Sequence, residues 1–187
     1  MRLFVAIEIP DDLRRAIAEF LAAMRPHAPR ARWVRPETIH VTLKFIGDAS
    51  AEKTEAIRDA LAPIQLPAPV EMEFRGTGFF PAERRPRVFW IGIQANASIA
   101  ELAGAVDRQL EPLGIARESR AFVPHLTLAR FEQPGESGDL PRALGDANRR
   151  SFGRILAREF HLYESRLLRE GAQHIRLETY RFAPEIA

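Results

Sequence analysis

Two short stretches decide how this chain reads: His40-Val41-Thr42-Leu43 and His125-Leu126-Thr127-Leu128. Chance placement of five histidines, six threonines and eighteen leucines in 187 positions would give about 0.015 copies of the pattern, so coincidence is a poor explanation. The copies lie 85 positions apart, and that offset also lays Arg2-Leu3-Phe4-Val5-Ala6 on Arg87-Val88-Phe89-Trp90-Ile91. A helix-like stretch follows each of those segments and precedes each motif. The chain thus reads as two strand–helix–strand halves of one two-lobed unit, residues 1–187, too few and too long to be a solenoid. An approximate two-fold relation would set His40 beside His125.

Working outward, hydrophobic spacing marks the remaining elements. Residues 2–9 read as a strand, and Asp11 as the N-cap of a helix over 12–25 with Leu13, Ile17, Phe20, Leu21 and Met24 on one face. The first motif strand covers 38–46 and stops at Gly47-Asp48. Ser50 opens a second helix burying Ile57, Leu61 and Ile64. Strands follow over 69–75 and 87–94, separated by a Gly/Pro-containing segment, 76–86. Ser98-Ile99-Ala100-Glu101 has the form of a capping box and starts a helix carrying Leu102, Val106, Leu110 and Leu113. The second motif strand covers 122–131. Segment 132–150 is loop-like with room for one short helix, and two long strands near 152–166 and 173–182, turning at Glu170-Gly171, close the chain. Alternating strands and helices indicate an α+β or α/β arrangement with helices outside the sheets.

The motif carries chemistry because residues two apart on a strand share a face, ~7 Å apart. His40, Thr42 and Lys44 then point one way, and Val41, Leu43 and Phe45 toward the core. His125, Thr127 and Ala129 share the second polar face, with Leu126 and Leu128 inward. Two imidazoles with ordinary pKa values near 6.5 can divide acid and base work around neutrality, while two hydroxyls hold phosphate oxygens. One such strand would be an ordinary half-exposed surface; two at matched positions are not. His27, His161 and His174 lack the context and read as surface or structural residues.

Composition narrows the alternatives. There is no cysteine, which removes disulfides, thiolate metal sites and a cysteine nucleophile. The apolar start ends at Glu8 and Pro10, too soon for a signal peptide, and no later run is long enough to span a membrane, so a cytoplasmic protein is the default. Zinc sites want three or four ligands, often closely spaced on a helix, and these histidines are far apart. Neither a Gly-x-Ser-x-Gly elbow nor a phosphate loop of the Gly-x-x-x-x-Gly-Lys type occurs. Net charge is +2, yet 25 of 27 basic residues are arginine. GC-rich coding explains that as well as an RNA-facing rim does.

Three runs carry a resemblance: Arg2-Leu3-Phe4-Val5-Ala6-Ile7, then Trp33-Val34-Arg35-Pro36-Glu37-Thr38-Ile39-His40-Val41-Thr42-Leu43-Lys44-Phe45-Ile46-Gly47, then Pro124-His125-Leu126-Thr127-Leu128-Ala129-Arg130. Over nearly its whole length the chain resembles the 2H phosphoesterases, and closely the RNA 2′,3′-cyclic phosphodiesterases once called 2′-5′ RNA ligases. That resemblance implies a bilobal, duplicated α+β fold of two antiparallel-rich sheets flanking a central groove, helices outside. It implies hydrolysis of a terminal 2′,3′-cyclic phosphate to a 2′-phosphate, with no cofactor and no metal, on RNA ends such as tRNA fragments or on cyclic nucleotides. His40 would protonate the departing oxygen, His125 would activate water, and Thr42 and Thr127 would hold the phosphate. Arg130 would contact phosphate, although strict alternation turns it toward the core; Lys44 is placed by alternation on the His40 face. Trp33 and Phe122 are candidates for base stacking or core packing. A monomer is the default for a site between a chain's own lobes. The same residues would serve RNA-end joining, the reverse reaction, and the arginine surface would serve a non-catalytic RNA-end-binding module.

Overall fold

The structure, a computed structural model, describes residues 1–133, 135–145, 149–168 and 171–182. Among the described residues, nine strands and four α-helices follow in order: β1 (Arg2–Glu8), α1 (Asp11–Met24), β2 (Arg32–Trp33), β3 (His40–Asp48), α2 (Ala51–Leu61), β4 (Val70–Phe80), β5 (Val88–Ala95), α3 (Ser98–Leu110), β6 (His125–Arg130), α4 (Leu140–Ala143), β7 (Ser151–Ala157), β8 (Glu159–Leu168) and β9 (Gly171–Arg181). They build two sheets, β3-β1-β8-β9 and β2-β6-β5-β4-β7, in which every neighbouring pair is antiparallel.

The duplicated unit is visible as β1–α1–β3 and β5–α3–β6, each with its two strands side by side. The repeats interlock. From the first repeat, α1 lays Phe20 edge-on to Phe152, 5.0 Å away, and against Phe89 of the second sheet. From the second, α3 packs along β3. One continuous cluster of buried apolar residues therefore draws Leu3, Val5, Ile7, Val41 and Leu43 from one sheet and Phe74, Phe89, Ile91, Leu126 and Leu128 from the other.

Several elements differ from the sequence expectation. The N-cap of α1 is Pro10; Asp11 and Asp12 occupy the first turn, where carboxylates complement the helix dipole. Ser50 does cap α2, accepting from Lys53 N–H at 3.1 Å. The capping box does not form: Ala97 is the N-cap of α3 and Ser98 already lies inside the helix. Strand β4 continues through Gly76-Thr77-Gly78 to Phe80. The long strand expected near 152–166 is two strands broken at Arg158, β7 in one sheet and β8 in the other. The short helix in 132–150 is α4. Of the expected turn, Glu170 lies outside the described residues, as do positions 134 and 146–148.

Sheet register corrects the repeat itself. Glu8 opposes His40 and Gly92 opposes His125, and positions 8 and 92 are 84 apart, not 85. The slip matters because one residue exchanges the faces of a strand. Phe4 lies on the open face and clusters with Ala6 and Tyr163, whereas Phe89, its expected counterpart, lies in the core.

Candidate active site

The second motif strand meets the first through β2. Arg32 and Trp33 pair with Arg130 and Ala129 of β6, and Val34 N–H bonds Leu128 C=O at 2.8 Å. Only a 3₁₀ turn, Pro36–Thr38, then separates the chain from His40, so β3 starts alongside β6. The open faces of the sheets flank the central groove there.

Both motifs use the same local device. His40 Nδ1 lies 2.7 Å from Thr38 C=O, and His125 Nδ1 lies 2.8 Å from Val123 C=O. A carbonyl can only accept, so each Nδ1 carries the proton and each Nε2 is left free. Thr42 and Thr127 come two positions later and remain half-buried on the open side, while Val41, Leu43, Leu126 and Leu128 are buried.

Past the threonines, alternation fails in both copies for the same reason. Val5 opposes Lys44 and Ala6 opposes Thr42, leaving Leu43 as an extra residue. Phe89 opposes Ala129 and Trp90 opposes Thr127, leaving Leu128 as the extra one. Each is a β-bulge, which reverses the faces of the residues after it. Lys44 is consequently turned away from the groove. It is 3% exposed, bonds Ala116 C=O at 2.6 Å and pairs with Asp107 of α3 at 2.6 Å. Phe45, expected in the core, is instead 58% exposed on the open face, 6.3 Å from Phe4. Ala129, expected on the polar face, is fully buried, and Arg130 is exposed opposite Val88. The device that removes Lys44 from the groove in one copy thus turns Arg130 outward in the other. Trp33 and Phe122 both pack against the core, Trp33 donating its indole N–H to Ala28 C=O at 2.9 Å.

The surroundings of the two imidazoles differ. The His40 ring is 4.6 Å from Phe4 and 5.0 Å from His174, which meets it edge-on. Burial pushes the His40 pKa down to about 4; the hydrogen bond to Thr38 opposes this, and the nearby His174 and Arg14 add to it. Sequence context gives His174 no place beside the motif. It belongs here because the first sheet curls: Arg35, just before the turn that leads to His40, bonds Ala172 C=O of the far edge strand β9 at 2.6 Å. Burial and Arg35 lower its pKa as well. His125 is half-buried, with Phe80 edge-on to it at 5.2 Å. Phe80 leans on Trp90, and the Trp90 ring lies so close over Gly78 that a Cβ there would fall 2.3 Å from it. No periodic signal marks these aromatics, since Val88-Phe89-Trp90-Ile91 is apolar on both faces.

The other histidines stay outside the motif pair. His27 contacts the Asp139 carboxylate at 3.2 Å. His161 is buried against Thr179 Oγ1 at 3.0 Å, with its pKa lowered to about 4 by burial and then by Arg176. Among the described residues no three His, Asp or Glu side chains converge as a metal cluster, and no helix is long and apolar enough to cross a membrane.

A family model described as LigT like phosphoesterase matches this chain twice, over residues 7–90 and 91–173. An RNA 2′,3′-cyclic phosphodiesterase of Archaeoglobus fulgidus is 33% identical across 91% of this chain and 94% of its own. One of Methanothermobacter thermautotrophicus is 29% identical across 97% and 98%. Among solved structures, E. coli LigT in complex with 3′-AMP superposes with a TM-score of 0.77 at 27% identity, covering 97% of each chain. TT0787 of Thermus thermophilus superposes at 0.76 with 28% identity, over 97% of this chain and 98% of that one.

Proposed function

This chain belongs to the LigT-like phosphoesterase family, and we propose that it hydrolyses the terminal 2′,3′-cyclic phosphate of RNA to a 2′-phosphate by paired-histidine acid/base catalysis. One observation carries the reading. Two His-Thr pairs stand on β3 and β6, strands of different sheets that touch, with both Nδ1 atoms held by carbonyls, which leaves two Nε2 atoms and two hydroxyls for substrate.

The chemistry follows from those groups. His125, with a free Nε2 lone pair, takes a proton from water as the oxygen attacks phosphorus. The bond from phosphorus to the 3′ oxygen breaks, and His40 delivers a proton to that oxygen. General acid and general base each contribute on the order of 10²–10⁴ in rate. Thr42 and Thr127 donate to the non-bridging oxygens and keep attacking and leaving oxygens in line. Arg130 adds a guanidinium fork suited to phosphate. Phe45 offers a flat apolar face beside the His40 end for the nucleoside base.

One condition attaches to His40. With a pKa of about 4 it is neutral at pH 7 in the free protein, and a neutral imidazole has no proton to give from Nε2. Negative charge placed next to an imidazole raises its pKa. The bound phosphodiester therefore loads its own acid, and His40 becomes a donor only when substrate is present. RNA ends as substrates, and a monomer as the working unit, complete the proposal.

The deciding measurement is turnover of an oligoribonucleotide ending in a 2′,3′-cyclic phosphate, in EDTA, with the product isomer identified. The expected product is the 2′-phosphate. A 3′-phosphate would reverse the leaving-group assignment, and joining of ends faster than hydrolysis would make ligation the main role.

A further inference from the structure

His174 contributes nothing to either motif, yet its contacts lead to the first one. Its ring is 4.8 Å from Phe4 and 5.0 Å from His40, edge-on to both. Its strand, β9, is the edge of the sheet opposite β3, so it meets His40 only because the sheet curls back on itself. The curl is held by Arg35. Its guanidinium bonds Ala172 C=O and lies within van der Waals reach of Gly171. The same residue's carbonyl accepts from Thr38 N–H and Thr38 Oγ1–H, both at 2.9 Å, and the Thr38 carbonyl holds His40 Nδ1. Arg35 thus ties His40 and the His174 strand to a single point.

The second repeat shows what this adds. His125 has the carbonyl contact and an aromatic neighbour, Phe80, but among the described residues no second ring packs on it. Nothing in acid/base chemistry as such demands the extra wall around His40.

We propose that His174 is a positioning residue for this reaction: it seats the His40 ring against Phe4 and closes that flank to water. The inference rests on the reading of His40 as a participant in catalysis. The charged and titratable groups around His40 are Glu8 opposite it on β1, Arg14 on α1, Arg35 before the turn, and His174 with Arg176 on β9; Arg14 and Arg176 both pair with Glu8. His174 adds a second ring packed on His40 beside that of Phe4, and its nearness helps to hold the His40 pKa down.

The test uses the full chain and compares His174→Ala with His174→Phe. Imidazole titration of His40 is followed by NMR without ligand, beside the pH dependence of kcat/KM on the cyclic-ended oligonucleotide. In His174→Ala water reaches the ring, so the His40 titration moves upward from about 4 toward the ordinary histidine value. Loss of a fixed attack geometry lowers kcat/KM by about tenfold, and the alkaline limb of the profile, which the general acid sets, moves up with His40. Phe restores the packing without the imidazole, so His174→Phe keeps both the low His40 titration and most of the activity. An unmoved His40 titration in His174→Ala, or a His174→Phe protein as impaired as His174→Ala, would overturn the proposal. If the wild type fails to turn over the oligonucleotide, the proposed function falls, while the titration still decides whether His174 seats His40.

Discussion

His40 and His125 occupy equivalent places on equivalent strands and share the carbonyl clamp, the threonine and the bulge, yet the chain surrounds them differently. One ring is walled by Phe4 and His174 and held neutral by burial; the other is half-buried with a single ring, Phe80, edge-on to it among the described residues. The positions beyond the bulges diverge further. Lys44 and Ala129 both turn inward, one to an ion pair with α3 and one to plain packing, while Phe45 and Arg130 both turn outward, one apolar and one cationic. Backbone devices were kept in both halves and side chains were not. A symmetric scaffold with unlike walls can assign different proton-transfer roles to the same residue type, which two identical sites could not.

That comparison can be broken by experiment. The largest effect is expected at the motif itself. His40→Ala and His125→Ala should each lower kcat by on the order of 10²–10⁴ with unchanged circular dichroism; a variant that kept wild-type turnover would remove its half from the mechanism. Next comes the inward pair. Lys44→Met leaves the partly buried Asp107 without its cation, holding only the Glu118 N–H bond, and should cost about 3 kcal/mol in urea unfolding with little change in KM. The double change Lys44→Met with Asp107→Leu should regain most of that loss, because an apolar pair substitutes well for a buried ionic one. A Lys44→Met protein as stable as wild type but defective in substrate binding would return Lys44 to the groove.

The smallest effect separates the lobes through pH. The folded-state pKa of His40 lies near 4, below the ordinary 6.5, so between those values the unfolded chain binds more protons than the folded one. Stability should therefore fall as pH drops from 6.5 toward 4 and level off below it. His161, lowered to about 4 by burial, acts in the same direction. Urea midpoints over this window should slope less steeply in His40→Gln than in wild type, whereas an unchanged slope would mean that the His40 pocket is wetter than its contacts imply.

How much of this is legible in the sequence depends on whether the signal is local. The duplication, both histidines and both threonines, the apolar stripe of each helix and the inward Val41, Leu43, Leu126 and Leu128 all follow from composition and from short-range periodicity, which backbone geometry imposes on any strand or helix. The fates of Lys44, Phe45, Ala129 and Arg130 do not, because a bulge is a mismatch between two strands and is invisible in either alone. The break at Arg158, which sends β7 and β8 to different sheets, and the contact of His174 with His40 across a curled sheet are likewise relations between distant segments. The sequence by itself determined which residues can do the chemistry; the tertiary structure alone decided which of their neighbours face it, because pairing register and sheet curvature belong to the assembled strands.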